Sequence, residues 1–304
     1  MSVPGFSTAL SFCAQNGTRC GGSAGKYDAE MMTSIRELVS ESKIDALVHD
    51  IIRRGRLGAE NYRASLTSQE AQKAPSLTWS WHGKRYIGAA HGIVGILQII
   101  FSVPPKLLEP HMAALSDTPR LIVNIQLLSG NWSSKAGRHM FSLDEDEKYQ
   151  LVQWFHNASG LLILFSTIIR RFTTPPTPAI SEALLRPMHT ALARGGELVY
   201  THGFLRKGVG ICHGVAESVF ALLAVSRVLD DKDEVWLTRA VHLAELATRY
   251  HELERSGEMK VPDRPYSLYE GVAGMCCAWA DVLDRLNGKP GVGMPGYDDL
   301  SDLV

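Results

Sequence analysis

Four segments of this chain share one pattern, a turn of small residues running into a largely apolar helix-forming stretch, and they recur at nearly constant spacing. They are AAHGIVGIL (Ala89 to Leu97), WFHNASGLLIL (Trp154 to Leu164), ICHGVAESVFALL (Ile211 to Leu223) and LYEGVAGMCCAW (Leu268 to Trp279). From His91 to His156, His213 and Glu270 the intervals are 65, 57 and 57 residues, room for one helical hairpin and its connections. A helix that is apolar on every side must be buried, whereas one with a single apolar stripe can cover it. Each interval therefore reads as a buried inner helix followed by an amphipathic outer one. Hairpins that repeat in this way stack, and enough of them close into a ring.

The outer helices are legible between the repeats. From Met31 to Ile52 the residues Ile35, Leu38, Val39, Leu47, Val48, Ile51 and Ile52 recur at three- and four-residue steps, and Gly55 is expected to stop that helix. Similar stretches run from about Pro105 to Leu128, Ala179 to Val199 and Asp233 to Leu253. Alternating apolar and polar runs are scarce, so the predicted fold class is all-α. Two regions are expected, a poorly structured Ser- and Gly-rich segment at 1–30 and one repeat domain at 31–304.

Composition narrows the function classes. With 31 Lys and Arg against 32 Asp and Glu, the chain lacks the basic excess of a protein that lives on phosphate contacts, so no nucleic-acid partner is expected. Five sparse cysteines (Cys13, Cys20, Cys212, Cys276, Cys277) suit a reducing compartment rather than a disulfide framework, and a cytoplasmic location is expected. No secretory signal is recognisable at the N-terminus, and the N-x-S/T matches at Asn16, Asn131 and Asn157 are read as accidental. The longest apolar stretch, Ile87 to Val103, is broken by His91, three glycines and Gln98, short of the roughly 18 unbroken apolar residues of a membrane-spanning helix.

The site is expected where the inner-helix N-termini converge, because partial positive charge gathers there and favours an anion or a thiolate. Glycine at those turns admits positive φ and close backbone approach. At one mouth, Cys212 and His213 follow Lys207, Gly208 and Gly210 in LRKGVGICHG. A thiolate there would gain from the helix terminus and the lysine, and a Cys-His pair can supply two zinc ligands; a buried structural cysteine is the alternative.

The phrases WSWHGKRYIGAAHGIVGIL, SGNWSSKAG, LVQWFHNASG, GFLRKGVGICHG, PDRPYSLYEGVAG and the closing MPGYDDL follow one another as in the lanthionine synthetase C-like proteins, and the chain most resembles the eukaryotic, fungal-type members. The resemblance covers about Leu77 to the C-terminus and extends weakly back through RRGRLGAENY. It implies an (α/α) toroid of seven inner and seven outer helices around a zinc ion. In bacterial members the zinc activates a cysteine thiol for addition to dehydrated Ser or Thr; the eukaryotic relatives bind glutathione and add thiols to electrophilic dehydroamino acids. Of those seven repeats this chain supplies four and a faint fifth, CGGSAGKY at Cys20 to Tyr27, so an incomplete toroid is expected, with an open edge that a protein partner could cover.

Carried over by the resemblance, Cys212 and His213 match two of three zinc ligands. The third position is Phe155, which has no lone pair to donate, so the zinc site is expected to be incomplete. His91 matches a histidine proposed as the acid/base for thiol addition; bonding to a neighbouring loop is its alternative. Lys207 matches a lysine implicated in glutathione binding, and Lys260 stands where those members carry an arginine with that role, keeping the charge but losing the planar fork. Glu217 replaces a usual glycine and is expected to add bulk and negative charge beside the centre. Three readings compete: a thiol-activating enzyme impaired at its zinc site, a non-catalytic scaffold for glutathione, a small anion or a protein, and a glycosidase-like toroid using Glu270 and Asp263. Cys276 and Cys277, inside the last inner helix, read as core-filling small hydrophobes.

Overall fold

The computed structural model describes residues 40–136, 152–173, 180–230 and 232–299. The segment 1–30, with CGGSAGKY, and the start of the Met31 helix lie outside the described residues. The chain is built of helices α1 (Glu41–Arg63), α2 (Ser68–Ala71), α3 (Ile93–Phe101), α4 (Met112–Asn124), α5 (Ala158–Phe172), α6 (Glu182–His202), α7 (Val215–Leu229), α8 (Val235–Ala247), α9 (Tyr250–Ser256) and α10 (Val272–Leu286). Two-residue strands β1 (Arg85–Tyr86) and β2 (Lys135–Ala136) pair antiparallel, Arg85 opposite Ala136.

The inner helices α3, α5, α7 and α10 begin at residues 93, 158, 215 and 272, which repeats the 65-, 57- and 57-residue spacing of the turns. They pack side by side in chain order, α3 on α5, α5 on α7, α7 on α10. Outside them α4 packs on α6 and α6 on α8, while α6 also covers α5 and α7, and α8 covers α7 and α10. The result is the all-α, two-layered arc of a toroid. The largely apolar helices α5 and α7 lie in the middle of the arc, and each is buried on every side over its first three turns.

Three expectations are corrected. Gly55 does not stop α1, which continues to Arg63. The glycine is there for packing: a Cβ would sit 2.5 Å from the Trp79 indole, whose Nε1 donates to the Ile51 carbonyl at 3.1 Å. The Pro105–Leu128 helix shortens to α4, because Pro105 and Pro110 sit in two 3-10 turns before it. Cys276 is exposed, so it does not fill core, whereas Cys277 is half-buried and packs against the core; both lie on α10, which also exposes Leu283 and Leu286.

The C-terminal segment lies against the inner face of the arc. The Tyr297 hydroxyl donates to the Gly160 carbonyl (3.2 Å), and Gln98 Nε2 donates to the Tyr297 carbonyl (3.1 Å). Asp298 accepts from Thr167 (3.1 Å) and pairs with Arg170 (3.3 Å) and Arg227 (3.0 Å). Asp281 on α10 pairs with Arg227 at 3.5 Å and accepts from the backbone of Val292 and Gly293. These few residues thereby tie α3, α5, α7 and α10 together. No helix among the described residues is long and apolar enough to cross a membrane, and Asn131 and Asn157 are buried, which leaves no room for a glycan.

Candidate functional site

The four turns before the inner helices meet on one side of the arc. Ala89 N donates to the Trp154 carbonyl (3.3 Å), Ala90 N to the Phe155 carbonyl (3.4 Å), and Cys212 N to the Tyr269 carbonyl (2.8 Å). Two glycines make this possible by close approach: a Cβ on Gly88 would collide with the Phe155–His156 backbone, and one on Gly210 with the backbone of Glu270. The N-cap glycines Gly92, Gly214 and Gly271 have φ of −122°, −118° and −116°, so the expectation that they supply positive φ is corrected.

The turns carry most of the expected site residues to one place. The Phe155 ring stacks on His213 with centroids 5.0 Å apart and planes 23° off parallel, and meets His91 edge-on at 4.9 Å. His156 tilts against Phe155 at 5.5 Å. Cys212 Sγ lies 2.8 Å from His213 Nδ1. Cys212 is buried, His213 and Phe155 half-buried, and His91 and Lys207 exposed, so the group is a mouth that opens to solvent and closes on the thiol. Lys207 is near enough to hold down the pKa of both His156 and His213, behind burial for His213 and behind burial and His91 for His156. Lys260 is exposed, and its backbone N–H donates at 2.7 Å to the carbonyl of Arg206, the residue before Lys207. Glu270 bears electrostatically on Cys212 and His213, whereas Asp263 is exposed in the preceding loop.

The electrostatics reverse one expectation. Burial first, then the carboxyls of Glu217 and Glu270 when ionised, push the Cys212 thiol up to about 11, against the opposing pull of a backbone hydrogen bond and Lys207. The sulfur is therefore a thiol near neutral pH, within hydrogen-bond reach of His213 Nδ1. A second expectation changes too: Glu217 is fully buried, and burial raises its carboxyl well above the ordinary carboxylate range, so that the uncharged acid is favoured there. Its Oε2 accepts the Trp154 backbone N–H at 2.5 Å.

The donor set does not fit a resident three-ligand zinc. Cys212 and His213 are two donors, the third position is occupied by the Phe155 ring lying on His213, and among the described residues no group of three or more His, Cys, Asp or Glu side chains converges as a metal site.

Several residues at the site were not singled out in the sequence. Trp154 stands edge-on to Tyr297 at 5.2 Å and within 6.4 Å of Tyr269, so the C-terminal segment forms the floor beneath the Phe155 turn. Arg170 and Arg227, which hold that floor, are 57 residues apart, the same interval as the turns, and this spacing of arginines in apolar helices was the available signal.

The sequence model of the family described as lanthionine synthetase C-like protein matches residues 15–290. Among curated proteins, the zebrafish (Danio rerio) glutathione S-transferase LANCL1 is 27% identical over 226 residues, covering 72% of this chain and 48% of that protein. The Arabidopsis thaliana LanC-like protein GCL1 is 27% identical over 261 residues, covering 86% of this chain and 52% of that protein. The chain spans about half the length of the curated relatives it matches.

Proposed function

The chain belongs to the lanthionine synthetase C-like family, and from that premise we propose that it binds a glutathione-type thiol at the convergent turns, with thiol activation and addition to an electrophile impaired. The observation that carries this reading is the Phe155 ring stacked on His213, an apolar side chain where a third metal donor would be needed. The name of the zebrafish relative supports glutathione as the ligand class. The exposed Lys207 and Lys260 offer two ammonium groups to the carboxylates of a small peptide. On this reading the exposed imidazole of His91 takes the proton from the ligand thiol, while Cys212 stays protonated. The free thiols suit a reducing compartment, and we place the protein in the cytoplasm. The exposed α10 face is the edge a protein partner would cover.

Calorimetric titration with glutathione tests the proposal, with the wild type expected to bind and Lys207→Ala to bind more weakly. A parallel assay follows glutathione addition to a dehydroalanine peptide. Turnover that a chelator abolishes would replace this reading with that of a metal-dependent enzyme, and failure to bind glutathione would refute it.

A further inference from the structure

The repeat makes the seams between neighbouring turns comparable residue by residue, and one seam differs from the other two. Ala90, Phe155, Cys212 and Tyr269 are equivalent positions, each one residue before His91, His156, His213 and Glu270. The first seam is closed by Ala90 N donating to the Phe155 carbonyl, and the third by Cys212 N donating to the Tyr269 carbonyl. At the middle seam, among the described residues, no backbone hydrogen bond links the turn at 154–156 to the turn at 211–213. The cause is in the sequence. Gly88 and Gly210 permit the close approach at the first and third seams, but the equivalent position in the second turn is Gln153, a buried side chain.

Two side chains cross this seam. From the second turn, Phe155 lays its ring on His213 at 5.0 Å while touching His91 edge-on, so one residue spans three turns. In the other direction Glu217, in the first turn of α7 and fully buried, reaches back to accept the Trp154 N–H. A buried backbone donor must find an acceptor, and here the acceptor is a carboxyl rather than the next turn's carbonyl. We propose that Phe155 and Glu217 together form a metal-free brace across the middle seam, doing with an aromatic stack and one hydrogen bond what a bridging metal would do with coordinate bonds. Glu217 is then a positioning residue: it fixes the backbone that carries Phe155, and Phe155 fixes the His213 ring. The inference shares with the proposed function only the place of Phe155, and its test does not involve glutathione.

The experiment is metal analysis and thermal melting of the full chain, with and without 1,10-phenanthroline, for the wild type, Phe155→Cys and Phe155→Cys/Glu217→Gly. The expected result is a wild type free of stoichiometric zinc whose melting temperature the chelator does not move. Phe155→Cys should take up little zinc because Glu217 still holds the turn, and the double variant should bind one zinc per chain and melt lower when it is stripped. Stoichiometric zinc in the wild type, or full occupancy in Phe155→Cys alone, would overturn the brace. Should the variants fail to fold, amide exchange in the wild type decides: the Trp154 N–H should be protected as strongly as those of Ala90 and Cys212, and rapid exchange there refutes the proposal.

Discussion

Asp298 is the most exacting place to test how the C-terminal segment holds the arc. Its side chain is 3% exposed and pairs with Arg227, itself 7% exposed, at 3.0 Å and with Arg170 at 3.3 Å, while accepting from Thr167 at 3.1 Å. Asp298→Ala leaves a buried guanidinium short of its partner, and breaking a buried pair from one side costs about 3–5 kcal/mol. For a chain of this size that corresponds to a fall in melting temperature of roughly 6–20 °C. Asp298→Asn keeps an acceptor for Thr167 and should lose less. Removing both charges, as in Asp298→Asn/Arg227→Met, should cost less than the sum of the single changes, with a coupling of about 0.5–3 kcal/mol. Urea denaturation followed by tryptophan fluorescence gives all four corners of the cycle. A loss below about 1 kcal/mol in Asp298→Ala, or strict additivity in the cycle, would show that the segment is laid on the arc rather than locked into it.

Three further outcomes follow from the site. The Glu217 carboxyl is raised by burial, so its contribution to stability is full below its ordinary value of 4.5 and is lost as pH rises toward its native value, at up to about 1.4 kcal/mol per pH unit. Glu217→Gln should therefore gain on the wild type as pH rises over that range, and parallel stability profiles would refute the assignment. Gly210→Ala drives a methyl into the Glu270 backbone and should destabilise by about 2–4 kcal/mol in urea, an effect absent if the third seam can open freely. With a thiol pushed up to about 11, Cys212 is only about 0.1% thiolate at pH 8, so iodoacetamide should modify the exposed Cys276 before Cys212; peptide mapping that finds Cys212 alkylated ahead of Cys276 contradicts the burial argument.

The order of helices was legible because it depends on periodicity, a property of neighbouring residues. Helices apolar on every side had to be inner ones, and the starts at 93, 158, 215 and 272 keep the interval seen in the turns. What failed depends on partners distant in sequence. Gly55 looked like a stop because nothing nearby shows Trp79 lying across it. Cys276 looked like core because α10 reads as an inner helix, and nothing in its own segment shows that this residue faces outward. At Cys212 the helix terminus and Lys207 were visible and favoured a thiolate, but the burial and the two carboxyls that outweigh them come from the assembled turns. The resemblance set Phe155 beside Cys212, and the structure stacks its ring on the next residue, His213. The contact of Trp154 with Tyr297 gave no such sign.

An arc of repeats does not share its stability evenly, because each repeat touches only its neighbours. Both turns that carry Phe155, Cys212 and His213 enter α5 and α7, which have an inner helix on each side and outer helices behind them. Further repeats beyond either end would act first on α3 and α10. On α10, Leu283 is 59% and Leu286 57% exposed. Amide exchange should therefore be slowest in α5 and α7 and faster in α10, whose opening need not disturb the middle pair. If α10 instead exchanges with α5 and α7 as one unit, the buried network of Arg227, Asp281 and Asp298 must couple the end of the arc to its middle. In that case Asp298→Ala should release α10 first, which the same measurement on that variant would reveal.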